Sequence, residues 1–213
     1  FYDRSLDLLI ASHPDADHIS GLVDVLERFA VGGFIEPGVD SDTQIFKRLK
    51  QEVASREIHH FLARRGMRVI LSPAVVLTVL FPDRDPVGWE TNDASIIARL
   101  VYGESEFLFT GDAPVKIERY LAGLEGQRLR SDVLKAGHHG SKTSTSREFV
   151  GLVQPEYAGI SAGKNNRYGH PHPEALNVLE EMGVEIWRID ESGPAVIKSD
   201  GGRLLLTRRR GIF

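Results

Sequence analysis

The chain of 213 residues is 41% hydrophobic and 26% charged, carries a formal charge of −4 and has no cysteine. That composition can bury one substantial core, and it excludes disorder, disulfides and thiolate-held structural zinc. It leaves any attraction to polyanions to local basic groups such as Arg64 with Arg65, Lys142 with Arg147, or the run Arg208, Arg209 and Arg210.

The apolar run at 6–11 reads as a strand covered on both faces, and Ile19, Leu22, Leu26 and Phe29 then recur at helical spacing. Between them lies Ser12-His13-Pro14-Asp15-Ala16-Asp17-His18, with four metal-capable side chains in six residues at a strand-to-helix corner. Capping a helix needs one Asp, not two histidines with two aspartates, so metal binding is the leading reading. Gly32-Gly33 is expected to end the helix before a brief strand at Phe34-Ile35. Residues 43–65 read as helix, interrupted near Ser55-Arg56, on the shared face of Ile45, Phe46, Leu49 and Val53; His59 and His60 fall in its last part and are assigned no role.

Residues 69–71 and 75–81 are β-rich, and 83–93 reads as a loop passing over the active-site edge. Strands are expected at 95–102 and 106–110, the second ending at Thr110-Gly111-Asp112. A strand at 132–136 runs into Gly137-His138-His139-Gly140-Ser141-Lys142-Thr143-Ser144. Helix 147–153 and strand 157–161 lead to the loop 163–173, whose His170 and His172 precede helix 174–182. Segments 184–189, 195–198 and 203–207 read as three closing strands. Alternating strands and helices that end in consecutive strands imply layered α/β with a mixed sheet. No apolar run reaches the roughly 20 residues that span a bilayer, and no signal peptide precedes the first strand. Phe1 opens almost directly on that strand without an initiating Met, as expected of a piece of a longer chain.

Six histidines thus stand at three corners, with Asp15, Asp17 and Asp112 alongside. In an α/β layer such strand ends can share one edge and one site. The blocks SHPDADHISGL, NDASIIARL, FLFTGD, LKAGHHGSKTSTS and GKNNRYGHPHP, in that order, resemble the metallo-β-lactamase-like domain at the C-terminal end of ComEC competence proteins, bacterial membrane proteins that take up DNA. The resemblance covers nearly the whole chain. It implies one αββα sandwich domain over 1–213 with mixed sheets, here lacking the N-terminal strands that open the family's fold.

The same resemblance implies two metals, the first held by His13 and Asp15 and the second by Asp17 and His18, with Asp17 also near the attacking hydroxide. Asp112 would bridge them, one of His170 or His172 would be the last ligand, and His138 or His139 would protonate the leaving oxygen. The superfamily's third His, expected before Asp112, is replaced by Asn92-Asp93. With oxygen donors in place of two imidazoles, manganese or magnesium is favoured and zinc is possible. Ser141, Lys142 and Thr143 offer hydroxyls and a cation to a phosphate. The expected function is a nuclease acting on single-stranded DNA during uptake, with the membrane-embedded remainder of its own chain as its other partner. The alternatives are hydrolysis of a small ester, lactam or lactone, and a non-catalytic DNA-binding module.

Overall fold

In the computed structural model, which describes residues 4–208, β1 (Ser5–Ile10) leads into α1 (Ala16–Arg28), whose Ile19, Val23 and Leu26 form its buried stripe. Phe1, Arg209 and Arg210 lie outside the described residues. β2 (Ala30–Glu36) pairs parallel with β1 and is longer than the Phe34-Ile35 strand expected. Gly32 and Gly33 lie inside it because the strands approach closely; a Cβ on Gly32 would stand 3.0 Å from the Asp7 carbonyl oxygen.

α2 (Gln44–Ser55) is capped by Thr43, whose hydroxyl accepts from Phe46 N. The helix ends at the interruption expected near Ser55-Arg56, but it does not resume toward 65: β3 (His59–Leu62) extends the parallel sheet instead. Its apolar face ends at Val53, Glu57 turns with φ 52°, and the open edge of β2 offers backbone partners that a further helical turn would lack. His60 consequently reaches buried Glu36 at 2.8 Å, and Lys50 pairs with the same carboxylate.

The second sheet contains β4 (Arg68–Ser72), β5 (Val75–Phe81), β6 (Ile97–Tyr102), β7 (Ser105–Phe109), β8 (Val133–Lys135), β9 (Tyr157–Ile160) and β10 (Glu185–Arg188). Its order is β10-β9-β8-β7-β6-β5-β4, antiparallel from β4 to β7 and parallel from β7 to β10. The helices α3 (Val115–Glu125), α4 (Arg147–Val153) and α5 (Pro173–Glu181) contribute Leu121, Phe149, Val150 and Leu179 to a core shared with Ile97, Leu108, Leu134 and Ile160 of this sheet. Another core joins α1 and α2 to the smaller sheet through Leu26, Leu49 and Phe34. A third lies between the sheets, where Leu8 and Ile35 meet Leu77, Val79 and Ala98. Fully burying a Val, Leu, Ile or Phe of these cores stabilises the fold by about 1.5–3 kcal/mol. The layers therefore run helix, sheet, sheet, helix.

Two further expectations need adjustment. β1 is an edge strand, with Leu9 on the helix side and Leu8 between the sheets, so Ile10 stays 36% exposed. Of the three closing segments, only β10 joins the large sheet; β11 (Ala195–Ser199) and β12 (Leu204–Arg208) form a separate hairpin. Among the described residues no helix is long and apolar enough to cross a membrane.

Parallel pairing of β7, β8 and β9 sends their carboxyl ends to one edge. The bond from Ile96 N to Ser12 O, 2.8 Å, ties the end of β1 to that edge as well.

Candidate metal centre

Asp15 occupies the N-cap position of α1, yet its carboxylate makes no capping bond. Its backbone oxygen accepts from His18 N and Ile19 N, while Oδ2 lies 3.8 Å from His13 Nε2. The corner therefore turns its side chains toward one another rather than onto the helix. His13 is fully buried, its Nδ1 is 3.1 Å from the Ser12 hydroxyl, and its Nε2 has no partner. Burial and neighbouring His18 push its pKa down to about 4, leaving a neutral imidazole at physiological pH. A buried lone pair without a partner is costly unless something cationic or donating meets it.

Asp112, just beyond β7, completes the arrangement from the second sheet. Its Oδ2 is 3.2 Å from His18 Nε2, 3.4 Å from His139 Nε2 and 3.9 Å from His13 Nε2. Its Oδ1 receives Lys135 Nζ at 3.3 Å, and its backbone N–H donates to Ser95 Oγ at 3.0 Å. Burial alone would raise the carboxyl pKa, but the His18 hydrogen bond and the charge of Lys135 outweigh it and hold the group well below the usual carboxylate range. One oxygen is thus committed to Lys135 and the other faces three imidazoles.

His139 enters from the turn after β8. Its Nδ1 donates to the Ser161 carbonyl at 2.5 Å, which turns its Nε2 toward Asp17 Oδ2 at 3.2 Å and His18 Nε2 at 3.0 Å. Two adjacent sets of donors result: His13, His18 and Asp112, and Asp17, His18 and His139. Nitrogen and carboxylate donors around a buried unpaired lone pair fit divalent cations.

The remaining expected residues lie farther out. His138 contacts Thr143 Oγ1 through Nδ1 at 3.2 Å, and its ring is 5.7 Å from that of His170. His170 lines a pocket with Asp17 and His139, and its Nδ1 is buried without a hydrogen bond. His172 is spent on α5, where its Nδ1 accepts from Glu174 N. The Ser141 and Thr143 hydroxyls bond to each other at 3.0 Å, while exposed Lys142 forms no ion pair among the described residues. In the 3₁₀ turn Asn92–Ala94, Asn92 Oδ1 is buried without a partner and Asp93 pairs with Lys116.

His138 and His139 both adopt positive φ, 46° and 54°, at a cost of about 1–3 kcal/mol each. Their loop is held from several sides. Gly140 packs so closely that a Cβ would stand 2.7 Å from Pro171 Cβ, and its carbonyl accepts from His172 N. Ser144 Oγ donates to Gly137 O, and buried Glu118 of α3 accepts from Thr145 N at 2.6 Å and Ser146 N at 2.9 Å. Glu118 therefore holds the backbone that leads into α4. Burial pushes the Glu118 pKa up despite those two bonds. Glu118→Ala should destabilise the protein by about 3 kcal/mol in urea unfolding, since two buried N–H groups lose a charged acceptor. A loss under about 0.5 kcal/mol, the ordinary surface range, would show that the loop is held without it.

Lys135 and Glu118 were missed in the sequence. Lys135 had a visible signal, a lone charge in the apolar strand Val133–Lys135. Glu118 had none, because its partners are backbone groups 27 and 28 residues away.

A sequence model described as the Metallo-beta-lactamase superfamily matches residues 3–164. "ComE operon protein 3" of Bacillus subtilis (strain 168) is 34% identical over 196 residues, covering 89% of this chain and 24% of the relative. "Competence protein ComA" of Neisseria gonorrhoeae is 33% identical over 190 residues, covering 89% and 25%. The chain thus spans about a quarter of the length of these curated relatives. Among solved structures, CmlA, a diiron beta-hydroxylase from Streptomyces venezuelae, superposes with a TM-score of 0.54 at 14% identity, covering 87% of this chain and 44% of that one.

Proposed function

Because the chain belongs to the metallo-β-lactamase superfamily, we propose that its converging corners form the active site of a phosphodiesterase that cuts DNA during uptake, as one part of a longer membrane protein. The observation that carries this reading is the meeting of Asp17, His18, Asp112 and His139 beside the buried, unpaired Nε2 of His13. Likeness to "Competence protein ComA" supports a role in competence, for which DNA is the polymer. Divalent ions held there, manganese or magnesium before zinc, would supply a Lewis acid and an activated water.

The chain's own groups take the other roles. Asp112 keeps one oxygen on Lys135 and presents the other inward. Asp17, 64% exposed, stands at the mouth, where it can take a proton from an attacking water. His139 is turned into the acidic cluster, so proton donation to the leaving oxygen falls to His138, steadied by Thr143. Lys142, without a carboxylate partner among the described residues, supplies charge to the phosphate.

The test is cleavage of labelled single-stranded DNA after chelation and after return of manganese, magnesium or zinc. Chelation should abolish turnover and manganese or magnesium should restore it. An ion at one hundred times its dissociation constant should also stabilise the fold by about 2.7 kcal/mol, read as a higher melting temperature. Turnover indifferent to chelation would end the metal reading.

A further inference from the structure

A pocket of about 390 Å³ opens beside the metal centre, lined by Asp17, His139, Ser161, Gly163, Asn166 and Tyr168 among others. Resting on the nuclease reading, we propose that it receives the nucleobase next to the scissile phosphate, stacked on Tyr168, with Arg167 meeting the phosphate that follows, and that it does so without reading base identity.

Tyr168 is 63% exposed, so its ring is accessible to a partner. It is nevertheless oriented. Its ring lies 5.8 Å from that of His170 at 18°, and its hydroxyl accepts from Arg167 at 2.6 Å. The Arg167 guanidinium sits 4.8 Å from the ring centroid and forms no ion pair with a carboxylate among the described residues. Lys164, on the same loop, is also exposed without a carboxylate partner, as is Lys142 on the neighbouring one. An aromatic face flanked by unpaired cations is the chemistry that holds single-stranded nucleic acid, because every base has a π-face and every link a charge.

The pocket's one amide is already spent. Asn166 Nδ2 donates to Gly163 O and His170 O, and its Oδ1 accepts from Tyr168 N and His170 N. That uses both donors and both lone pairs to fix the loop and leaves nothing for a base edge. The Ser161 hydroxyl can donate or accept, so it does not distinguish bases. A base already stacked in a duplex cannot enter, which makes the pocket selective for unpaired strands.

The test uses the 213-residue chain in EDTA, where hydrolysis does not contribute, with fluorescein-labelled twelve-residue oligothymidylate and an abasic deoxyribose-phosphate chain of equal length as probes in anisotropy titrations. Tyr168→Ala should raise the Kd for oligothymidylate about tenfold or more, and Tyr168→Phe, which keeps the ring, should recover most of it. On the abasic chain, Tyr168→Ala and parent should differ by less than about twofold, since no base is present to stack. Equal weakening on both probes, no weakening on either, or no measurable binding by the parent would overturn the proposal. So would a preference among homopolymers larger than the effect of removing the ring. If the anisotropy pattern holds but no metal supports cleavage, the nuclease reading fails and the base pocket stands; cleavage without the pattern does the reverse.

Discussion

Asp17→Asn is expected to lower phosphodiester hydrolysis by about 10²–10⁴-fold, the range of a positioned proton-transfer group, while leaving the melting temperature in chelator unchanged within error. The side chain is 64% exposed and belongs to none of the three cores, so the nearly isosteric amide disturbs no packing. What the change removes is charge and basicity at the point where Asp17 meets His139 at 3.2 Å and His18 at 3.8 Å. Weaker metal binding would add to the loss. Measuring turnover at saturating metal separates the two contributions, and parent-like turnover there would remove Asp17 from catalysis.

The two adjacent histidines should part company when each is replaced by alanine. His139→Ala removes a nitrogen facing Asp17, His18 and Asp112, so it should release metal and depress cleavage of every substrate. His138→Ala should retain metal and slow cleavage of DNA, whose alkoxide leaving group needs a proton, by about 10²–10⁴-fold. A p-nitrophenyl phosphodiester, with an activated leaving group, should be slowed far less by the same change. Metal content by atomic absorption, read beside the two rates, decides the assignment. Loss of metal from both variants would make both histidines ligands and shift the acid to His170, which lies next to His138.

Much of this was written locally. The first corner sits between an apolar strand and an amphipathic helix, and those patterns depend only on neighbouring residues, so its place at a strand end could be read directly. The apolar content of 75–81 and 147–153 fixed β5 and α4 to the residue for the same reason. Sequence order and motif content together also carried the family and its layered fold.

What required the tertiary structure was every choice made between distant partners. Residues 59–62 became strand because β2 offered an open edge, a condition that no helical periodicity encodes. His138 and His139 are indistinguishable as neighbours in the chain. Their left-handed backbone turns one toward Asp17 and the other toward Thr143, and the carbonyl of Ser161, 22 residues on, holds Nδ1 of His139. His170 and His172 differ only because one lines the pocket and the other caps α5. Lys135 and Glu118 act through groups that parallel strand pairing and helix packing bring near. Sequence alone therefore determined which chemistry was present and at which strand ends, because side-chain type and local propensity are properties of short segments. Only the folded chain decided which group faces which, because hydrogen bonds and ionic contacts act over a few ångströms between residues separated by dozens of positions.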